Sequence, residues 1–189
     1  MADGIVSWKK RLVKQSDLTD LHEKLKEKGK KIVFTAGGWD MLHVGQGRYL
    51  EEARARGDIL VVGVSSNAAI RAVKGKGRPI LDEKVRAEML TYLRCVDLVT
   101  IIPDSSCQPI LALLKPDVYI TVGEDWNENY KDSKEYKTVT KYGGEVIVVT
   151  RQSPYISTTK ILQRAVGVQL GDVFKEYMKL KDDPLKERN

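Results

Sequence analysis

The 189-residue chain has only two cysteines and two histidines. That is too few for a disulfide framework, and no Cys/His spacing forms a metal-binding cluster. Cys95 and Cys107 therefore read as ordinary thiols. No apolar run approaches the roughly 20 residues of a membrane-spanning helix. The N-terminal MADGIVSWKKRL lacks the apolar core of a secretory signal, so the expectation is a cytoplasmic protein without membrane contact. Repeats and low-complexity linkers are missing too, which argues against a second folded domain. A net charge of +6 favours anionic partners. With no zinc-finger spacing, arginine-rich tail or aromatic–basic interleaving, nucleic acid is not the expected one.

What is present is a chain of five short apolar runs: residues 31–36, 59–64, 96–102, 118–122 and 145–150. They alternate with segments of helical period. This pattern predicts an α/β protein with a doubly wound five-stranded parallel sheet, a Rossmann-like arrangement. Asp17 caps a helix ending near Gly29, behind a loose arm over residues 1–16. Asp82 caps a helix that places Val85, Met89, Leu90 and Leu93 near one stripe. Residues 1–166 are read as the domain, its first 30 residues being the arm and helix. Residues 167–189 form a helical extension, with Val173, Tyr177 and Leu180 spaced for one face.

In such sheets ligands bind outside the carboxyl ends of the strands, where the strand order reverses. That rule gathers Ala36–Gln46, Ser65-Ser66, Gly123–Trp126 and Arg151–Lys160 around one site. The first of these segments is a strand, a Gly37-Gly38 turn and a helix start at His43, Gly45 and Gln46, which together make a phosphate cradle. Lys74 and Lys76 sit on the Gly-rich loop KGKGRP, and Ser157-Thr158-Thr159 caps another helix. Cys107 and Ser157 are imaginable nucleophiles, but His43 is the only base within plausible reach. The set suits binding and neutralising a polyphosphate better than covalent attack. Plainer readings exist for each: a capping His43, solvated loop lysines, a structural Arg86, a packing Trp126.

Asp40-x-x-His43-x-Gly45 resembles the HxGH signature of the cytidylyltransferase-like nucleotidyltransferases, with Gln46 at the place of the second His. Lys74-Gly75, Arg78-Pro79 and Arg86 are similar to a KGxxRP…R segment of the heptose-phosphate adenylyltransferase branch. Gly123-Glu124-Asp125-Trp126 resembles the loop after the fourth strand, and Ile156–Ile161 the ISTTxI segment. GEDW is closer to the glycerol-phosphate cytidylyltransferase pattern. The resemblance covers about residues 17–166.

It implies transfer of AMP from ATP to a sugar 1-phosphate, releasing pyrophosphate and forming a nucleotide-activated sugar, with magnesium and without a covalent enzyme intermediate. Two alternatives stand beside it. One is CTP use with a polyol phosphate such as glycerol 3-phosphate. The other, prompted by Gln46, is a catalytically impaired nucleotide-binding protein. The catalytic set it implies is His43, Gln46, Lys74 and Arg86, with Arg86 holding the acceptor or the triphosphate. The implied nucleotide-binding set is Thr35, Ala36, Gly37, Gly38, Trp39, Gly45, Gly123, Asp125, Trp126, Ser157, Thr158 and Thr159. No residue is assigned as a metal ligand. Family members are commonly homodimers, and helices at 17–28 and 170–181 offer an interface.

Overall fold

A computed structural model describes residues 7–123, 130–151 and 155–181. Five strands form one parallel sheet: β1 (Ile32–Gly37), β2 (Ile59–Ser65), β3 (Leu98–Ile102), β4 (Val118–Val122) and β5 (Glu145–Val149). Their order is β3-β2-β1-β4-β5, so the chain reverses direction across the sheet between β1 and β4. Helices α1 (Leu18–Glu27), α2 (Val44–Arg54), α3 (Asn67–Lys74), α4 (Glu83–Thr91), α5 (Gln108–Leu114), α6 (Lys134–Lys141) and α7 (Thr158–Lys181) supply the connections. The expected doubly wound fold is present. Among the described residues no helix is long and apolar enough to cross a membrane.

The strands are continuous Val/Ile/Leu runs because helices cover both sheet faces. One core layer packs Leu50, Ala53, Leu90 and Val96 against Val33, Leu60, Val62 and Ile120. The other packs Leu18, Ile110, Leu111, Leu114 and Val139 against Ile32, Phe34, Val61 and Tyr119. At the amino edge, three aspartates each take the backbone N–H that opens a neighbouring strand. Asp58 accepts from Lys31 (2.8 Å), Asp97 from Leu60 (2.8 Å) and Asp117 from Ile32 (2.7 Å). Such bonds satisfy donors that the ladder leaves over.

The opposite edge is built to open. β1 pairs with β2 from Ile32 to Gly37, but with β4 only at Val33–Val118 and Phe34–Tyr119. Above that level Tyr49 of α2 enters between the two strands. Its hydroxyl donates to the Ile120 carbonyl (2.9 Å) and lies 2.6 Å from the Thr35 hydroxyl. The wedge satisfies groups that a continuous ladder would have paired, and leaves a crevice at the strand reversal.

Three expectations are corrected. Residues 7–16 are not a loose arm. Leu12 bridges Val99 beside β3, Val13 N–H donates to the Val99 carbonyl, and Arg11 donates to the Thr91 and Val96 carbonyls. The stripe on α4 is turned away from its expected direction: Arg86, Ala87, Leu90 and Thr91 are buried, while Val85 and Met89 are about half exposed. Finally, the C-terminal segment is not a separate helix, because α7 runs unbroken through Gly167 and Gly171.

Candidate functional site

A cavity of about 270 Å³ lies in the crevice between the carboxyl ends of β1 and β4. Ala36 and Gly37 form one wall, and Thr121 and Val122 the facing one. His43, Gly45 and Gln46 come from the start of α2, Ser157, Thr158 and Thr159 from the start of α7, Lys74 from the last turn of α3 instead of the loop expected for it, and Arg78 from the loop that follows. Two helix N-termini thus face one cavity together with several cationic side chains, the arrangement that favours a polyanion.

Asp40 holds these walls together. Its carboxylate is 96% buried and accepts from Arg78 Nε (3.1 Å) and from the backbone N–H groups of Ile80 (2.9 Å) and Leu81 (3.0 Å). An Arg78 terminal nitrogen lies 3.0 Å from the same carboxylate. The Asp40 carbonyl accepts from the Thr158 hydroxyl at 2.6 Å, which fixes the start of α7 against the first loop. Gly75, at φ +88°, ends α3 and turns the chain into the loop with a backbone that other residues rarely adopt.

His43 is the N-cap residue of α2, and Gln46 stands at its third helical position. The Gln46 side-chain oxygen accepts from the His43 backbone N–H at 3.1 Å. That bond satisfies a helix-terminal donor and decides which end of the amide is left over: the Nε2 donor. His43 Nδ1 is buried without a protein partner. Burial first, and the nearby charge of Arg151 second, hold the His43 pKa below its ordinary value, so the imidazole is neutral at pH 7.

Gly37 needs its missing side chain. A Cβ there would come within 3.1 Å of the Trp39 indole. Trp39 is buried at φ +52°, donates its indole N–H to the Gly63 carbonyl (2.8 Å) and stacks on Tyr49. It forms the floor of the cavity rather than a free platform for a base.

Of the residues expected from the sequence, Ala36, Gly37, Gly38, Trp39, His43, Gly45, Gln46, Lys74, Ser157, Thr158 and Thr159 line this cavity. Thr35 does not; its side chain is buried against Tyr49. Gly123 follows Val122 but is itself outside the lining. Asp125 and Trp126 lie outside the described residues.

Arg86 is the main correction. It is fully buried and donates to the Gly38 carbonyl, to the Leu81 carbonyl (2.9 Å) and to Asn67 Oδ1 (2.9 Å). It braces the glycine turn from beneath instead of reaching a substrate. The sequence reading gave no role to Asp40, Arg78 or Tyr49 at the cavity, and left Arg151 unassigned. Asp40 and Arg78 stand in the two quoted motifs, but they are 38 residues apart and nothing in the sequence pairs them.

Among the described residues the arrangement lacks a covalent nucleophile. Ser157 Oγ accepts from the Lys160 N–H (3.2 Å) as a helix cap. Cys107 lies outside this cavity, and burial pushes its thiol up to about 12. Nor does any cluster of His, Cys, Asp or Glu among the described residues suit a metal ion. Both Asp40 carboxylate oxygens are already engaged.

Residues 34–164 match the family model described as cytidylyltransferase-like. The chain is 40% identical over 147 residues to the bifunctional protein HldE of Geobacter metallireducens, covering 78% of this chain and 29% of that one. It is 35% identical over 164 residues to the bifunctional protein HldE of Syntrophotalea carbinolica, covering 87% and 33%. The chain therefore spans about a third of the length of these curated relatives. Among solved structures, the lipopolysaccharide core biosynthesis protein of Thermoplasma volcanium superposes with a TM-score of 0.54 at 28% identity, covering 68% of this chain and all of that one.

Proposed function

The chain belongs to the cytidylyltransferase-like family, and from that footing we propose that it is a nucleotidyltransferase moving AMP from ATP to a sugar 1-phosphate. The observation that carries the reading is the convergence of two helix N-termini, His43, Gln46, Lys74, Arg78 and Arg151 on one cavity, with no covalent nucleophile among the described residues. A phosphate oxygen of the acceptor attacks the α-phosphorus of the nucleotide. The new P–O bond forms as the bond from that phosphorus to the oxygen bridging to the β-phosphorus breaks, and pyrophosphate leaves with the bridging oxygen and its electron pair. Such a reaction needs alignment and charge neutralisation more than general-base power, because the acceptor phosphate is already anionic.

In this reading Gly37 and Gly38 admit the nucleotide close to the backbone, and the α7 start binds the β- and γ-phosphates. His43 donates to a phosphate oxygen as a neutral imidazole, and Gln46 donates through Nε2. Lys74 reaches in from the exposed last turn of α3, while Arg78 is held by Asp40. Magnesium enters as the counter-ion of the triphosphate, since no described side-chain cluster would hold it. No step depends on it here. The retained donor at Gln46 favours an active enzyme over an inert nucleotide binder. Small soluble substrates fit a cytoplasmic protein.

Incubation with magnesium, each nucleoside triphosphate and a panel of sugar and polyol phosphates tests this. Pyrophosphate release with ATP and a sugar 1-phosphate is expected. Release with CTP and glycerol 3-phosphate alone would replace the adenylyl reading with the cytidylyl one. Tight nucleotide binding without turnover would leave a binding protein.

A further inference from the structure

On the other side of β1 lies a second cavity of about 210 Å³, several times the roughly 30 Å³ share of a liquid water. It meets the first at Ala36, Gly37 and Thr121, so the carboxyl ends of β1 and β4 form a wall common to both. Its chemistry is opposite. Among the described residues no Lys, Arg or His lines it; Ser65, Asp104, Ser106, Tyr119 and Glu135 do. Glu135 is half-buried at the start of α6 and accepts from the Ser106 hydroxyl at 2.5 Å. Ser106 in turn accepts from the Gln108 N–H at 3.0 Å. One Glu135 oxygen and the hydroxyls of Ser65 and Tyr119 complete a lining rich in acceptors.

A phosphate is repelled by two carboxylates and has no cation to meet there. A neutral polyhydroxylated group suits them well, since ionised carboxylates accept the strongest hydrogen bonds from hydroxyls. We infer that the second cavity holds the sugar part of the acceptor, with Glu135 and Asp104 accepting from its hydroxyls, while its phosphate lies at the common wall beside Gly37. The inference rests on the proposed acceptor class. It divides the acceptor by charge: the anionic end goes toward His43, Lys74 and Arg78, and the hydroxyl-bearing end toward Ser106 and Glu135. It also makes Glu135 a specificity-determining residue outside every segment singled out in the sequence.

Amide chemical shifts of the labelled full chain provide the test, with methyl α-mannopyranoside as a phosphate-free probe and inorganic phosphate as a sugar-free one. The mannoside is expected to move amides at 104–107 and 135–136 and to leave those at 43–47 in place; phosphate should do the reverse. Glu135→Gln and Ser65→Val, the second narrowing the cavity without touching Glu135, should each weaken the mannoside shifts. Each should also raise the KM of the accepted sugar phosphate about tenfold, with the nucleotide KM and Tm unchanged: Glu135→Gln because a neutral acceptor bonds more weakly than a charged one, Ser65→Val because a hydroxyl and space for the sugar are lost. Mannoside shifts at 43–47, or none at either place, would overturn the inference. Wild-type acceptor KM in both variants would overturn it while leaving the transferase reading intact. Shifts confined to the second cavity, without turnover on any nucleotide, would remove the transferase reading and still support a sugar site.

Discussion

Gln46→Glu separates the two things that Gln46 does. The side-chain oxygen accepts from the His43 N–H at 3.1 Å, and a Glu at that position keeps this bond. Glutamate is the usual partner in such a capping arrangement, and a negative charge in the first turn of a helix adds about 0.3–1 kcal/mol. The fold should therefore be unharmed, with Tm unchanged or raised by a few degrees.

The site is affected differently. The Nε2 donor is replaced by an anionic oxygen facing the position proposed for the triphosphate. Losing one neutral hydrogen bond costs about 0.5–1.5 kcal/mol. Placing a carboxylate about 4 Å from a phosphate charge adds about 4 kcal/mol at an effective dielectric of ~20. A rise in the His43 pKa beside the new carboxylate offsets part of this. The expected result is a loss of about 10³-fold in kcat/KM for the nucleotide, read by pyrophosphate release and by calorimetric nucleotide binding. Gln46→Ala, losing both cap and donor, should lower Tm by about 2–4 °C as well as activity. Gln46→His should raise turnover about tenfold if the site gains from a cation. Turnover of Gln46→Glu within threefold of wild type would refute the reasoning, because position 46 would then serve the helix and nothing else.

Arg86→Met leaves three part-buried acceptors without their donor and should destabilise the fold by about 3–5 kcal/mol, seen in chemical unfolding; Lys74→Ala, at the exposed end of α3, should leave stability unchanged and weaken nucleotide binding. His43 has a folded pKa below its unfolded value, so the unfolded chain takes up that proton first and stability falls as pH drops through about 6.5. Because His43 donates to the phosphate as a neutral imidazole, nucleotide binding between pH 7 and 8 should take up no proton at this residue, so calorimetry in buffers of different ionisation heat should give the same proton uptake for the wild type and His43→Asn. Asp40→Asn keeps an acceptor but loses the ion pair with Arg78, and should weaken nucleotide binding more than Lys74→Ala does, by titration of the two variants side by side. Val166, Leu170, Val173 and Phe174 are more than half exposed on α7 at spacings of three and four residues, so light scattering should find a homodimer that Leu170→Glu converts to a monomer.

The strands were readable because a parallel sheet covered on both faces leaves no polar alternation to confuse the pattern. Caps were readable in part: Asp82 and Ser157 hold the N–H groups of Lys84 and Lys160 as local chemistry predicts, while Asp17 stands before α1 without a side-chain capping bond. The direction of α4 was not. Its apolar residues suggested a stripe through Val85 and Met89, yet the inward face carries Arg86 and Thr91. Periodicity reads burial from hydrophobicity, and fails where a buried cation braces a backbone turn. The same failure exchanged the two arginines. Arg78, on a loop, lines the cavity, while Arg86, on a helix, does not. Spacing along the chain cannot tell which guanidinium points inward. The docking of Arg11 on the Thr91 and Val96 carbonyls was equally hidden, because its partners lie 80 and 85 residues away.

The buried charges explain why a short motif reaches so far. Asp40 uses its carboxylate on Arg78 and on the backbone of Ile80 and Leu81, and its carbonyl on Thr158. Arg86 reaches Gly38 and Leu81 from below. The first loop, the loop after α3 and the start of α7 are therefore one hydrogen-bonded unit, although they are up to 118 residues apart in the chain. Each buried charge is costly to leave unpaired, so these loops cannot drift independently without exposing Asp40 or Arg86 to an unsatisfied interior. Preorganisation of this kind is what an in-line phosphoryl-group transfer needs, because its rate depends on donors held where charge will develop. In that frame Gln46 is a modest departure. The walls that position it are bound by the Asp40–Arg78 ion pair and by hydrogen bonds to backbone carbonyls and N–H groups, none of which involves Gln46.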